Sequence, residues 1–285
     1  VPFGAARELD RRAHENGGRM IELLIADVDG TLVTHEKELT ERARRAVRKL
    51  HDASIAFAVT SGRPPRGMSM LVAPLALTTP IAGFNGGMFV HPDMTPIEIK
   101  ALPAEIVPRI VRVIEEHRLD VWIYQGSQWL LRKLDAPHVA REQWTVRFAP
   151  TVARDLSRLT ADVVKIVGVS DDLPAVEGCE RDLREQCGDH VSAARSQPYY
   201  VDVTHPAANK GEVVAYLSQK LAIPAEKIAT IGDMPNDVLM FARSGLSIAM
   251  GNASPDMQRA ARHVTGSNDR DGFADAVERF VLGKR

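Results

Sequence analysis

Short apolar runs, each ending at a polar or glycine turn and followed by a helical pattern, constrain this chain more than any other feature. Residues 21–27 read as a strand, and "IAFAVT" (55–60) and "PIAGFNGG" (80–87) repeat the form. Between them, Ala43, Ala46, Val47 and Leu50 share one face of a stretch over about 40–52, which Thr40 opens as N-cap. The prolines of "SGRPP" suit the start of another helix. Late in the chain the pattern resumes: "YYVDVT", "KGEVVAYLSQKLAI", "KIATIG", "NDVLMFARSG", "LSIAM" and a terminal helix near 272–282. Strands alternating with helices predict an α/β fold, a doubly wound, Rossmann-like parallel sheet with helices on its faces.

The middle breaks the pattern. A helix over about 103–117 leads into "VWIYQGSQWLLRK", whose alternation around Gly126-Ser127 predicts a β-hairpin. "ADVVKIVGVS" (161–170) predicts a further strand and 173–187 a further helix. The expected division is a core from 20–84 and 191–285, with an inserted α+β domain over 85–190. All three tryptophans, Trp122, Trp129 and Trp144, fall in the insertion. Trp122 and Tyr124 share one face of the hairpin, as do Trp129 and Leu131 on its second strand. A small core for the inserted domain is their favoured role, and stacking on a sugar ring the alternative. Residues 1–19 are polar and are expected to be a disordered extension or a start-site artefact, with Met20 the plausible start.

At 285 residues the chain can bury a sizeable core, and a charged fraction of 26% with net charge −1 is ordinary for a globular protein. No basic stripe favours nucleic acid, and no apolar run reaches the roughly 18 residues that span a bilayer. Neither a nucleic-acid partner nor a membrane is expected. Cys179 and Cys187 lie eight residues apart in one helical pattern, about 12 Å along its axis, too far to pair. Two free thiols suit a reducing compartment, so the expected location is the cytoplasm.

The chemistry gathers where strands end. In a doubly wound sheet the loops after the strands converge, and ligands bind there. "IADVDGTLVT" (25–34) carries Asp27 and Asp29 at the end of the first strand, where desolvation and mutual repulsion disfavour two carboxylates. A bound cation relieves both. Ser61 and Gly62 follow the second strand, Asn209-Lys210-Gly211 precede a helix, and Asp233, Asn236 and Asp237 lie in "IGDMPND". Three acidic residues, Asp27, Asp29 and Asp233, suit a hard cation, most simply Mg²⁺. A hydroxyl at Ser61, the Lys210 ammonium and helix N-terminal amides suit phosphate oxygens. One aspartate can then attack phosphorus and the other move a proton.

With these residues, the chain resembles the haloacid dehalogenase-like hydrolase superfamily, and within it the Cof-type phosphatases with a large type IIB cap. "DVDGTL" resembles the first motif, which implies Asp27 as nucleophile and Asp29 as acid and base. "TSGRP" resembles the second and implies Ser61 as the phosphate-binding hydroxyl. "NKG" implies Lys210, and "GDMPND" implies Asp233 as a metal ligand with Asp237 supporting the cluster. "GFNGG" resembles the turn leading from core to cap, with Asn85 a substrate contact. Thr31, Gly62, Arg63 and Asn236 are the further positions expected to bind substrate or to support those that do. The resemblance also amends the ligand set, since it implies a metal held by the Asp27 carboxylate, the Asp29 backbone carbonyl and Asp233. The Asp29 side chain is then free for proton transfer.

The activity implied is a Mg²⁺-dependent phosphatase acting on a small-molecule phosphate ester, sugar phosphates foremost, through an aspartyl-phosphate. A monomer or homodimer is expected. The alternatives are a phosphosugar mutase or sugar-specific phosphatase of the same superfamily, or a catalytically silent phospho-ligand binder. A receiver domain uses similar residues, but the large insertion argues against one. His35 and His205 read as solvated loop histidines, with contact to the substrate the alternative.

Overall fold

The computed structural model describes residues 20–283, so the expectation for 1–19 lies outside the described residues. Five strands come first: β1 (Leu23–Asp27), β2 (Ala56–Thr60), β3 (Ile81–Gly83), β4 (Met88–Val90) and β5 (Pro96–Ile99). Six follow: β6 (Asp120–Gln125), β7 (Gln128–Leu131), β8 (Thr151–Val152), β9 (Val163–Val169), β10 (Ser192–Gln197) and β11 (Tyr200–Thr204). Then come β12 (Ile228–Gly232), β13 (Leu246–Ala249) and β14 (His263–Val264).

They form two sheets. The first runs β14-β13-β12-β1-β2-β3-β4-β5 and the second β10-β11-β9-β6-β7-β8. In the first, the pairs from β14 to β3 are parallel, and β4 and β5 add an antiparallel edge. β1 lies between β12 and β2, every residue of it buried. Leu24 and Ala26 face the helix Glu41–Asp52 through Ala43, Ala46, Val47 and Leu50, while Leu23 and Ile25 face Val213, Val214 and Leu217 of the helix Lys210–Leu221. Thr40 caps the first of these helices as predicted, its side chain accepting the Ala43 amide at 3.1 Å.

Strand membership divides the chain differently from the expected limits at 85 and 190. Residues 88–99 still belong to the first sheet, whereas "YYVDVT", expected to resume the core, pairs antiparallel with β9 in the second. The chain therefore changes sheets after Ile99 and after Thr204. An alternating strand advertises one buried face, but not the sheet it will join. The prolines after Arg63 open a 3-10 stretch, Pro65–Leu71, with only one α-turn beyond it, Val72–Leu75.

The second sheet uses its faces for two purposes. Val121, Ile123, Ile166, Val201 and Val203 pack on the helices Val107–Glu116 and Leu173–Cys187. Trp122, Tyr124, Trp129, Leu131, Val167 and Tyr200 face the other way and merge with the core of the first sheet beside Met68, Phe84 and Met88. The tryptophan pair is thus core, Trp122 and Trp129 meeting edge to face at 5.2 Å, while Trp144 is exposed. Both cysteines are free, as expected; both are also buried, and burial pushes the Cys179 thiol up to about 12.

Candidate active site

Parallel pairing brings the strand ends together. Asp27 sits opposite Thr60 in the register, so Ser61 leaves β2 beside the point where Val28 leaves β1. β12 flanks β1 on the other side and delivers Asp233 one residue past its end. Lys210 opens the helix Lys210–Leu221, with Asn209 as its N-cap through a 3.0 Å bond from the Glu212 amide.

Lys210 is buried, and its ammonium donates to Asp27 Oδ1 and Asp237 Oδ1, each at 2.5 Å. Asp237 Oδ2 accepts the amides of Asp233 and Met234 at 2.9 Å, closing the turn that carries Asp233. Thr31 donates to Asp233 Oδ1 at 2.9 Å and so sets the carboxylate's orientation. Gly30, at φ +78°, passes so close that a Cβ there would lie 2.4 Å from Asp233 Oδ2, which no side chain permits. Asn252, absent from the sequence reading, donates to the Gly30 carbonyl at 2.9 Å and to Asp233 Oδ2 at 3.4 Å.

Asp29 occupies a different electrostatic world two residues away. Arg63 grips it with two bonds, Nε to Oδ2 at 2.6 Å and Nη2 to Oδ1 at 2.5 Å, and the Lys37 ammonium adds a third at 2.6 Å. Burial pushes the Asp29 carboxyl up, but Arg63 and Lys37 outweigh it and hold it below its ordinary value. Arg63 thus braces Asp29 directly. Lys37 was not legible in the sequence: it sits in the turn "THEKEL", where a lysine normally faces water.

Ser61 is buried, with its hydroxyl accepting the Arg63 amide at 3.1 Å. Its carbonyl accepts the Asn85 amide at 2.8 Å, and the Arg63 carbonyl accepts that of Phe84 at 2.9 Å. These two bonds lock the loop after β2 to a turn in which Phe84, Asn85 and Gly86 all take positive φ (52°, 57° and 96°). Left-handed backbone at a bulky residue such as Phe84 costs energy and is found where the surroundings impose it. Here it turns Asn85 toward Gly62 and Asn236, whose side-chain amide donates to Asn85 Oδ1 at 3.1 Å. His205 accepts the Ala207 amide at 3.0 Å and braces the loop before Lys210.

The residues present fit a divalent cation. Carboxylate oxygens of Asp27, Asp233 and Asp237 lie within 4.8 Å of one another. Burial, reinforced by the neighbouring acids Asp237 and Asp233, pushes the Asp27 carboxyl well up despite Lys210. Burial and Asp237 push Asp233 up to about 6. Three acids against one lysine leave an excess of negative charge that a cation relieves. Asp237 is already committed to Lys210 and two amides, which leaves Asp27 and Asp233 as the side chains with oxygen to spare. The Asp29 carboxylate, first counted among the cation's ligands, is taken up by Arg63 and Lys37 instead.

A model of the haloacid dehalogenase-like hydrolase family matches residues 24–277, and the chain belongs to that family. It is a phosphoric monoester hydrolase of the phosphatase branch. The chain is similar to the 5-amino-6-(5-phospho-D-ribitylamino)uracil phosphatase YitU of Bacillus subtilis, 28% identical over 90% of this chain and 97% of that protein. A putative phosphatase of Haemophilus influenzae is 25% identical over 91% of this chain and 98% of its own length. The crystal structure of a haloacid dehalogenase-like hydrolase from Bacteroides thetaiotaomicron superposes with a TM-score of 0.84 at 27% identity, covering 91% of this chain and 99% of that one.

Proposed function

We propose that this phosphatase hydrolyses small phosphate monoesters, sugar phosphates foremost, with Asp27 as nucleophile, Asp29 as acid and base, and Mg²⁺ as cation. The observation that carries the reading is the separation of the two aspartates: Asp27 lies in an acid-rich cluster with Lys210, Asp29 in a cation-rich one. Asp27 and Asp233, with the Asp29 backbone carbonyl, would hold the metal, and their all-oxygen donor set suits Mg²⁺. When bound, the metal offsets the repulsion between the Asp27 carboxylate and a phosphate dianion.

An Asp27 carboxylate oxygen forms a bond to phosphorus as the bond to the ester oxygen breaks, and that oxygen takes a proton from Asp29. Asp29 is held ionised by Arg63 and Lys37 in the free enzyme. An arriving phosphate competes for those two cations, which raises the carboxyl and lets it carry the proton. In the second half, Asp29 takes a proton from water, the water oxygen bonds to phosphorus, and Asp27 leaves. Lys210 and Ser61 hold the phosphate oxygens, and Asn85 contacts the substrate beside Gly62.

The test is phosphate release from a panel of sugar phosphates, nucleotides and phosphorylated cofactors, with Mg²⁺ and with chelator. Metal-dependent release is expected, falling by at least about 10^4-fold in Asp27→Asn. Appreciable release by that variant would overturn the nucleophile assignment.

A further inference from the structure

A surface turn is ordinarily held by its own hydrogen bonds, and the turn after Val33 has them. The Thr34 amide donates to the Glu38 carbonyl at 3.0 Å, the Lys37 amide to the Thr34 carbonyl at 2.9 Å and the Glu38 amide to the Thr34 hydroxyl at 3.2 Å. Three further bonds fasten it from outside, all from one stretch late in the chain, Asn268 to Asp271. The Asn268 side-chain amide donates to the Val33 carbonyl at 3.0 Å, Asp269 Oδ1 accepts the His35 amide at 2.8 Å, and Asp271 Oδ1 accepts the Thr40 hydroxyl at 2.7 Å. The backbone amide of Asn268 donates in turn to Asn252 Oδ1 at 3.0 Å, and Asn252 holds the Gly30 carbonyl and Asp233. The turn is thus fixed to the same frame as the acid cluster.

What the turn presents is Lys37. Its backbone is left-handed, φ +61°, a conformation that a side chain with a Cβ adopts at a cost. Its side chain is only 19% exposed, and its ammonium lies 2.6 Å from Asp29 Oδ1. A lysine free in solvent loses side-chain entropy in making such a pair and gains little from it. Here the loss is reduced because the turn is already fixed.

The donors around Asp29 show what this achieves. An ionised carboxylate offers about four lone-pair sites, two on each oxygen. Among the described residues, Oδ1 accepts from Lys37 Nζ and Arg63 Nη2, and Oδ2 from Arg63 Nε. Arg63 is itself buried and anchored, its Nη1 donating to the Gly67 carbonyl at 3.3 Å. With Arg63 alone, each oxygen would hold one guanidinium N–H and the two would be alike. Lys37 fills Oδ1 and leaves an open site on Oδ2.

We propose that Lys37, held in place from Asn268 to Asp271, is a positioning residue for the proton transfer: it closes Oδ1 of Asp29 and leaves Oδ2 to carry the proton. In the first half-reaction the bond from phosphorus to the ester oxygen breaks, its electron pair stays on that oxygen, and the proton on Oδ2 moves to it. In the second, water returns a proton to Oδ2 as its oxygen bonds to phosphorus and the bond to Asp27 breaks, so the proton is conserved over a turnover. An ammonium has three hydrogens, so one stays on Oδ1 while another meets the arriving phosphate. This assignment rests on the phosphatase reading above.

The experiment measures kcat/KM in the full chain with Mg²⁺ for p-nitrophenyl phosphate, benzyl phosphate and the fastest sugar phosphate of the panel above. This ratio reports the steps up to release of the leaving group. p-Nitrophenolate leaves without a proton, whereas the alkyl oxygens of the other two esters need one. Lys37→Met should therefore lower kcat/KM about 10- to 100-fold on both alkyl esters, with the loss on p-nitrophenyl phosphate at least about tenfold smaller. Lys37→Arg should recover most of that loss, and Asp269→Ala should repeat the pattern at about 3- to 10-fold. Equal losses on all three esters, as a merely structural role would give, or no loss on the alkyl esters in Lys37→Met, would overturn the positioning role. An Asp269→Ala variant that loses nothing would overturn the fastening of Lys37 from the late stretch. A wild type that releases phosphate from no ester would instead bring down the phosphatase reading, and this inference with it.

Discussion

The ends of the first sheet's strands and the inward face of the second sheet treat charge in opposite ways. At the strand ends, Asp27, Asp233 and Asp237 crowd around Lys210 with negative charge to spare. Across the second sheet, Lys165 and Asp202 balance each other inside a largely aromatic face. The first arrangement carries a repulsion that a cation would relieve. The second pairs its charges within itself and leaves the Tyr200 hydroxyl and one Asp202 oxygen without a partner. The residues proposed for chemistry thus sit on loops aimed by parallel strands, whereas the antiparallel sheet presents its alternate side chains as a fixed row packed on the first.

The strand-end half of that contrast breaks most severely at Asp29. Asp29→Asn should lower turnover by about 10^2- to 10^4-fold, while cation affinity, read by calorimetric titration, stays within a few-fold because the proposed metal contact is the backbone carbonyl. A loss of cation affinity with turnover of the bound form intact would reverse the assignment.

The sheet-face half breaks at Trp129. Trp129→Ala empties a fully buried site between Tyr124, Trp122 and Phe148, and should cost about 3–5 kcal/mol in chemical denaturation. A change below about 1 kcal/mol would show that this face does not weld the two sheets into one core.

A smaller effect sharpens the contrast. Asp233 is pushed up to about 6 from an ordinary 3.8. Its carboxyl binds a proton more tightly folded than unfolded, so its favourable contribution is complete below about pH 4 and is lost as pH rises through about 6. In chelator, Asp233→Asn should therefore gain stability relative to wild type between pH 5 and 8, on the order of 2 kcal/mol. Thermal melts at the two pH values check this, and no relative gain would mean that the acid cluster is not strained without metal.

Much of this could be read from the residues in order. The strand and helix alternation, the cap at Thr40, the hairpin at Gly126-Ser127 and the placing of Asp27, Ser61 and Asp233 at strand ends are local patterns. They depend on periodicities of two and 3.6 and on turn chemistry, which neighbouring residues fix among themselves. What a strand pairs with is not local, so "YYVDVT" carried no mark of the sheet it joins. Nor did Lys37 carry any mark of Asp29, or Asp237 of the two amides and the ammonium it holds. Tyr200 and Asp202 read as ordinary alternating strand residues, and only the pairing of their strand with β9 places them on the face that meets Phe84. A partner distant in sequence is decided by which faces meet when the chain closes, and only the folded molecule contains that choice.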